Sequence, residues 1–349
     1  MAKLTEEQFN AIIQQDRPLG LVKLDDIFTD DLGLERYDVI GDGDYEGHTI
    51  KNFYRVDSAI FKSAFDEIKN NPDCSFVTIY NDIVKEGIIP EKVSVLIKDT
   101  RDYVEERVAS QLLNFYGVAC PVNICSVGDD LFKDEEHLKE SRKRSAWFRD
   151  ALAERSGYYT YVVSIDFMAE GRSLETICSY EDKLQFFQDL EGSVDCFREK
   201  MSELSNAKKF GNISTKKHKE LSELLEDQFV MSMLVRRLIF HDIDFNSNNV
   251  GVFLGGNPCV MNFDFELCFG SPIEKESSLK LIKDAIRFYP HVWAEFALKS
   301  QELYSNILNA GKKETRKVFK KAQIMDVLIE NLSFIDECLQ HNFSEKILL

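Results

Sequence analysis

Apolar residues change their spacing partway along the chain, and that change predicts its organisation. "VSVLIK" (93–98) is a β-branched run ending on a lysine, the pattern of a buried strand. The next segment, "YVEERVASQLLNFYGV" (103–118), puts Val104, Val108, Leu112 and Phe115 on one helical face and stops at Gly117. "YYTYVVSIDFMAEGRSL" (158–174) predicts a second central strand running into a glycine-containing turn. Beyond it, Phe186, Phe187, Leu190, Val194, Phe197, Met201 and Leu204 keep helical spacing, as do Leu221, Leu224, Leu225, Phe229 and Leu234. A short β-hairpin follows, with strands over 250–254 and 259–263 around Gly255-Gly256-Asn257-Pro258, and helices run to the end. Residues 1–90 are less regular, with one helix predicted over 55–69 from Ile60, Phe61, Phe65 and Ile68. The order is α+β: a mixed N-terminal part over 1–168, then a mainly helical part over 169–349.

Composition narrows the partners. The 349 residues carry 43 basic and 60 acidic side chains, a formal net charge of -17. A field of that sign repels phosphate backbones and anionic lipid, so general nucleic-acid binding is not expected. A compact metal-chelated anion such as MgATP is still admissible where local basic groups receive it. The basic segment "KESRKRSAWFR" (139–149) reads first as a solvated helix or loop. The eight cysteines form no CxxC pair and have no histidine at zinc-ligand spacing, so they read as reduced, mostly buried thiols. The start, Met-Ala-Lys-Leu-Thr-Glu-Glu, lacks an apolar signal core, and no run of 18 apolar residues occurs. A cytoplasmic protein without a membrane span is the expectation.

The chemistry gathers around "HDIDFNSNN" (241–249), two aspartates and three asparagines between strongly apolar runs. Asn and Asp form turns by hydrogen-bonding their own backbone, which is the plain explanation. Three further features change that. Lys98 ends a strand, with Glu106 eight residues on in the next helix; Asp244 precedes Asn249 by five residues; and Asp264 lies in "NFDFE" at the end of the hairpin. Taken singly, a lysine at a strand end is usually just exposed, and Asp244 with Asn249 would serve as a turn and its cap. Asp264, between Phe263 and Phe265, resists such a reading. A lone carboxylate in an apolar strand is costly to desolvate unless it meets a cation or donors. Phosphoryl transfer from ATP requires this whole inventory. It needs a lysine on the phosphates, a carboxylate holding that lysine, an aspartate at the acceptor hydroxyl, and an Asn and an Asp as Mg2+ ligands.

An aspartate with an asparagine five residues on, then a hairpin, then a strand ending in aspartate and an aromatic, resembles the catalytic core of the protein-kinase-like superfamily. The local wording is most similar to the HipA-type serine/threonine kinases, and more distantly to phosphatidylinositol and aminoglycoside kinases. "LIFHDIDFNSNNVGVFLGG" resembles their catalytic loop. "EERVASQLLNFYGVACP" resembles their lysine-partner helix, in which Glu106 and Gly117 keep the family's interval of eleven. "VVSIDFMAEGRSL" is similar to the strand and hinge that present backbone groups to adenine, which places Ile165 and Phe167 at the nucleotide base. The resemblance spans roughly residues 93–270. It implies a two-lobed fold, ATP and Mg2+ as cofactors and a protein Ser or Thr as acceptor. Asp244 is then the catalytic residue, Lys98 and Glu106 bind the nucleotide, and Asn249 and Asp264 hold the metal.

The chain departs from that pattern in several places. Asn246 stands where HipA-type kinases carry a loop histidine, while His241 precedes the aspartates. The metal aspartate is followed by Phe265-Glu266, and Glu266 is an additional metal ligand or a solvated group. Glu105 is an alternative partner for Lys98. Asp242 is expected to be turned away by the loop and to matter much less than Asp244. No glycine-rich phosphate loop stands shortly before Val93, and "GDGDYEG" (41–47) is acidic and reads as a turn. Two alternatives therefore stand beside the protein kinase: a small-molecule or lipid kinase of the same fold, and a nucleotide-binding pseudokinase.

Overall fold

The computed structural model describes residues 22–23, 51–57, 92–100, 102–120, 123–128, 158–165, 174–176, 194–195, 198–199, 215–245, 249–253, 259–318 and 322–340. The architecture is α+β. Strands β1 (Val22–Lys23), β2 (Lys51–Asp57), β3 (Lys92–Asp99), β4 (Asn123–Gly128) and β5 (Tyr159–Ile165) form one sheet in the order β1-β4-β5-β3-β2. All its pairings are antiparallel except β1 with β4. The two predicted strands lie inside this sheet, β5 at its centre and β3 beside it. Residues 55–57 of the helix predicted over 55–69 belong instead to β2, where Val56 pairs with Val93. The remainder of that helix lies outside the described residues. So do the 168/169 boundary, the basic segment 139–149, the acidic glycine segment 41–47 and the predicted turn 255–258.

Helix α1 (Tyr103–Phe115) buries Val104, Val108 and Leu112 of the predicted stripe, while the fourth member, Phe115, is partly buried against the same core and Leu113 is buried beside them. It ends where glycine was read as a stop. Gly117 has φ +75, its N–H reaches Asn114 O at 3.0 Å, and Val118 N–H reaches Leu113 O at 2.9 Å. Those two bonds close the last turn through a left-handed residue, a conformation that costs glycine nothing. Just beyond, Ala119 forms a parallel bridge to Met261, and Asn262 N–H donates to Ala119 O at 3.0 Å. The end of α1 is thereby fixed to the second, helical part.

That part opens with β6 (Leu174–Thr176), the outer strand of a three-stranded sheet completed by β7 (Val250–Phe253) and β8 (Cys259–Asn262). Around it lie α2 (Thr215–Leu234), α3 (Lys275–Phe288), α4 (Pro290–Val318) and α5 (Ala322–Gln340). One apolar cluster runs from Val108 and Leu112 of α1 through Phe229 and Leu234 of α2 to Phe296 of α4 and Leu328 and Ile335 of α5. Tyr116 seals the seam: its ring stacks on Phe296 at 5.6 Å and its hydroxyl meets Ser300 Oγ at 2.9 Å. Burying rings of this size contributes about 1.5–3 kcal/mol each. Among the described residues Cys120, Cys125, Cys259, Cys268 and Cys338 are buried and form no disulfide, as expected, and no helix is long and apolar enough to cross a membrane.

α2 does not end as a plain helix. Its last turn widens into a π-turn over Val235–Ile239, closed by Phe240 N–H to Val235 O at 3.1 Å. Such widened turns recur at functional sites because they re-aim side chains. Asn331 of α5 holds this turn from behind, donating to Ile239 O at 3.0 Å and accepting from Ile273 N–H at 2.9 Å.

Candidate active site

Lys98, one residue before the end of β3, points its ammonium at three carboxylates. Nζ lies 2.8 Å from Glu106 Oε1, 2.7 Å from Asp264 Oδ1 and 3.0 Å from Glu266 Oε1. Lys98 and Glu106 are buried, and Asp264 and Glu266 are partly so. The partner on α1 is thus Glu106. Its placement is further fixed by Asn123 of β4, whose Nδ2 reaches Glu106 Oε2 at 3.3 Å and whose Oδ1 accepts from Ser164 Oγ of β5 at 2.6 Å. The sheet and the helix therefore hold one carboxylate oxygen each way, one toward Lys98 and one toward Asn123.

Charge in this cluster is unbalanced. Burial alone lowers the Lys98 pKa. The attraction of Glu106, Asp264 and Glu266, with the hydrogen bond to Asp264, outweighs it and holds the ammonium well above its ordinary value. Burial raises the Glu106 pKa, Lys98 opposes that rise, and repulsion from Asp264 and Glu266 adds to it. One lysine cannot neutralise three carboxylates. Carboxylate oxygens of Glu106, Asp264 and Glu266 lie within 4.8 Å of one another, a hard-oxygen set of the kind that suits Mg2+. The residues present fit the ion that the sequence implies.

On the other side, Asn249 and Asp264 are joined through backbone. Phe263 N–H donates to Asn249 O at 2.8 Å, directly beyond the β7–β8 pairing of Val250 with Asn262. Asn249 Nδ2 donates to Asp244 O at 2.8 Å and lies 3.5 Å from Asp244 Oδ2. Its amide oxygen is the atom left for a cation. Asp244 itself is exposed. Asp264 has φ +56 and His241 φ +47, left-handed conformations that cost a non-glycine residue about 1–3 kcal/mol. His241 Nδ1 lies 2.9 Å from Ser271 O and 3.1 Å from Ser271 Oγ, linking this loop to the segment after the hairpin.

Sequence reasoning overlooked the group that binds these pieces together. Arg236, in the π-turn, is fully buried. Its Nε donates to Asp242 Oδ2 at 2.6 Å, NH1 to Phe263 O at 2.8 Å and Asn249 O at 3.2 Å, and NH2 to Asp264 O at 2.7 Å. Its guanidinium carbon sits 4.6 Å from the Phe245 ring centroid and 4.7 Å from that of Phe265. The available signal was an arginine at a core position inside "MSMLVRRLIF". Asp242, expected to be turned away by the loop and to matter much less than Asp244, is buried against Arg236. It neutralises Arg236, and its Oδ1 accepts the Asp244 N–H at 3.0 Å.

The structure therefore brings Lys98, Glu106 and Asp264 into direct contact and ties Asn249 and Asp244 to Asp264 through backbone. Ile165 ends β5, paired with Val95. Phe167 lies outside the described residues.

No family model and no curated protein matches this chain. Among solved structures, the Helicobacter pylori proinflammatory kinase CtkA is similar to it over 70% of this chain and 84% of that one. The identity is 12% and the TM-score 0.36. At so low a score, function has to be read from the residues themselves.

Proposed function

We propose that the protein is an ATP- and Mg2+-dependent phosphotransferase with a two-lobed protein-kinase-like fold, passing the γ-phosphate to a protein serine or threonine as the HipA-type resemblance implies. The observation that carries this reading is the buried contact of Lys98 with both Glu106 and Asp264. It joins a strand and a helix of the first part to the hairpin of the second with the charges phosphoryl transfer uses. Lys98 receives the α- and β-phosphates, and Glu106 keeps its ammonium from being an unpaired buried charge. Asn249 and Asp264 hold Mg2+, with Glu266 near enough to join them. The ion, when bound, supplies positive charge against the phosphate oxygens. Ile165 and Phe167 border the adenine. Asp244 orients the acceptor hydroxyl and takes its proton.

A second acceptor class has an observation in its favour. A cleft of about 410 Å³ is lined by Gly270, Ser271 and Pro272, which follow the metal hairpin, and by Asp326 and Glu330 of α5. Its acidic wall suits an aminated small molecule. Incubation with labelled ATP and Mg2+, alone and with cell lysate, followed by mass spectrometry of the labelled species, separates these readings. Label on protein Ser or Thr supports the kinase; label on a small amine supports the second class. Wild-type protein that binds MgATP and labels nothing is a nucleotide-binding pseudokinase.

A further inference from the structure

We propose, on the phosphotransfer reading above, that Arg236 is a positioning residue for the metal ligands and the catalytic loop together, acting through their backbone. A metal site is as good as the groups behind its ligands. Here the carbonyls of Asn249 and Asp264, 3.2 and 2.7 Å from NH1 and NH2, belong to the two residues assigned to the metal. Fixing those carbonyls fixes the Cα positions from which the ligand side chains depart. The same guanidinium holds the Asp242 carboxylate at 2.6 Å, and that carboxylate caps the Asp244 N–H at 3.0 Å. One planar cation thus sets the spacing between the acceptor-binding aspartate and the metal pair.

The choice of arginine follows. Four acceptors are reached by one guanidinium, whose carbon lies over the Phe245 and Phe265 rings at 4.6 and 4.7 Å. A guanidinium presents its N–H groups in a rigid fork and stacks on aromatic rings, whereas an ammonium does neither as well. Arg236→Lys keeps the charge and can still face Asp242, but it cannot serve all three carbonyls. Asp264 has its left-handed φ of +56 at the point where NH2 grips its carbonyl. A backbone held off its preferred conformation needs such a restraint.

The decisive experiment compares wild type, Arg236→Lys and Arg236→Gly in the full chain, with folding of each monitored by circular dichroism. Mn2+ binding is titrated by paramagnetic resonance, with and without a non-hydrolysable ATP analogue, and steady-state transfer is measured in parallel. Arg236→Lys should bind Mn2+ about tenfold more weakly and turn over about 10–100-fold more slowly, the usual scale for groups behind a metal ligand. The KM for ATP should stay within about threefold, because Lys98 is untouched. Guanidinium at concentrations well below denaturing should restore Mn2+ affinity to Arg236→Gly, while an equal concentration of ammonium should not. A folded Arg236→Lys with wild-type Mn2+ affinity and turnover overturns the proposal. Should Arg236→Gly not fold, the Lys variant decides alone. Wild type that neither binds Mn2+ nor transfers phosphate overturns the phosphotransfer reading and this inference with it. Wild type that binds Mn2+ without transferring leaves the affinity comparison to decide.

Discussion

Two buried cations lie on either side of Asp264, and they are treated in opposite ways. Lys98 meets three carboxylates, so its surroundings carry more negative charge than it can cancel. Arg236 meets one carboxylate, three carbonyls and two aromatic faces, and its charge is balanced. Desolvating a charge is costly unless partners replace water, and both sites supply partners. Only the Arg236 site is complete without anything added. The Lys98 site is left with a negative excess of the kind a divalent cation would offset. On the phosphotransfer reading proposed above, scaffold and reaction centre are told apart by charge balance, although both are buried and both touch Asp264.

The most severe way to break that contrast is to leave both cations in place and remove the exposed acid of the loop, Asp244. Asp244→Ala should keep ATP and Mg2+ affinity nearly unchanged and cut transfer by about two to four orders of magnitude, the scale of a positioned acid–base group. Single-turnover transfer, measured alongside nucleotide binding, reads this directly. Full activity in Asp244→Ala would sink the catalytic register and shift attention to the neighbouring loop residues. Asp242→Ala no longer serves as a silent control, because it strands Arg236.

Stability should separate the two cations next. Arg236→Met strips buried Asp242 of its paired guanidinium, leaving Arg237 as the cation near it, and should cost up to about 3–5 kcal/mol; Arg236→Met with Asp242→Leu should recover much of that. Lys98→Met should cost less, because the side chains of Asp264 and Glu266 are 26% and 22% exposed and can be hydrated, while buried Glu106, whose pKa burial already raises, can take up a proton and keeps its contact with Asn123. Its loss should show in function instead. Lys98→Ala and Glu106→Ala should each weaken nucleotide binding, and the double variant should fall far short of their sum. Denaturant unfolding that ranks Lys98→Met as the more damaging would reverse the assignment of scaffold and centre.

The same contrast explains what was legible in the sequence. Lys98 and Glu106 stood out because each sits on a strongly apolar element, and Asp264 because it stands between two phenylalanines just past β8, so a charge there is conspicuous. Arg236 also interrupts an apolar run, but an isolated arginine on a helix normally snorkels to water. The π-turn that turns it inward has no signature in residue spacing. β4 was missed for a different reason: "NICSVG" is buried at every position whose side chain is described except Gly128, so it lacks alternation. β2 was taken for the start of a helix because its "FYRVD" is followed by residues at helical spacing. β1 and β6, of two and three residues, are too short to leave a pattern.

Metal dependence tests the excess charge at Lys98. ATP should stabilise the fold only with Mg2+ or Mn2+ present, by about 2.7 kcal/mol at a ligand concentration 100 times its dissociation constant. Asp264→Asn should remove that increment. An equal thermal shift from ATP with and without metal would argue against Asn249 and Asp264 as its ligands.

The smallest expected effect sharpens the comparison most. Glu266→Gln removes one carboxylate from the crowded side while keeping its shape and its distance from Lys98. The remaining pair, Glu106 and Asp264, then faces less repulsion, and repulsion from Glu266 is among the causes raising the Glu106 pKa. In chelator-treated protein this substitution should be neutral or stabilising by up to about 1 kcal/mol, a value kept small because Glu266 is partly hydrated. The corresponding removal on the balanced side, Asp242→Asn, should destabilise under the same conditions, since it leaves Arg236 without its anion. With saturating Mg2+ and nucleotide present, the benefit of Glu266→Gln should vanish or reverse, because the carboxylate then has a cation to meet. Thermal unfolding of the two variants, with chelator and with MgATP, gives four shifts whose signs are fixed in advance. Loss of stability in metal-free Glu266→Gln would mean that all three carboxylates are needed to hold Lys98, and that the site carries no excess charge for a metal to take up.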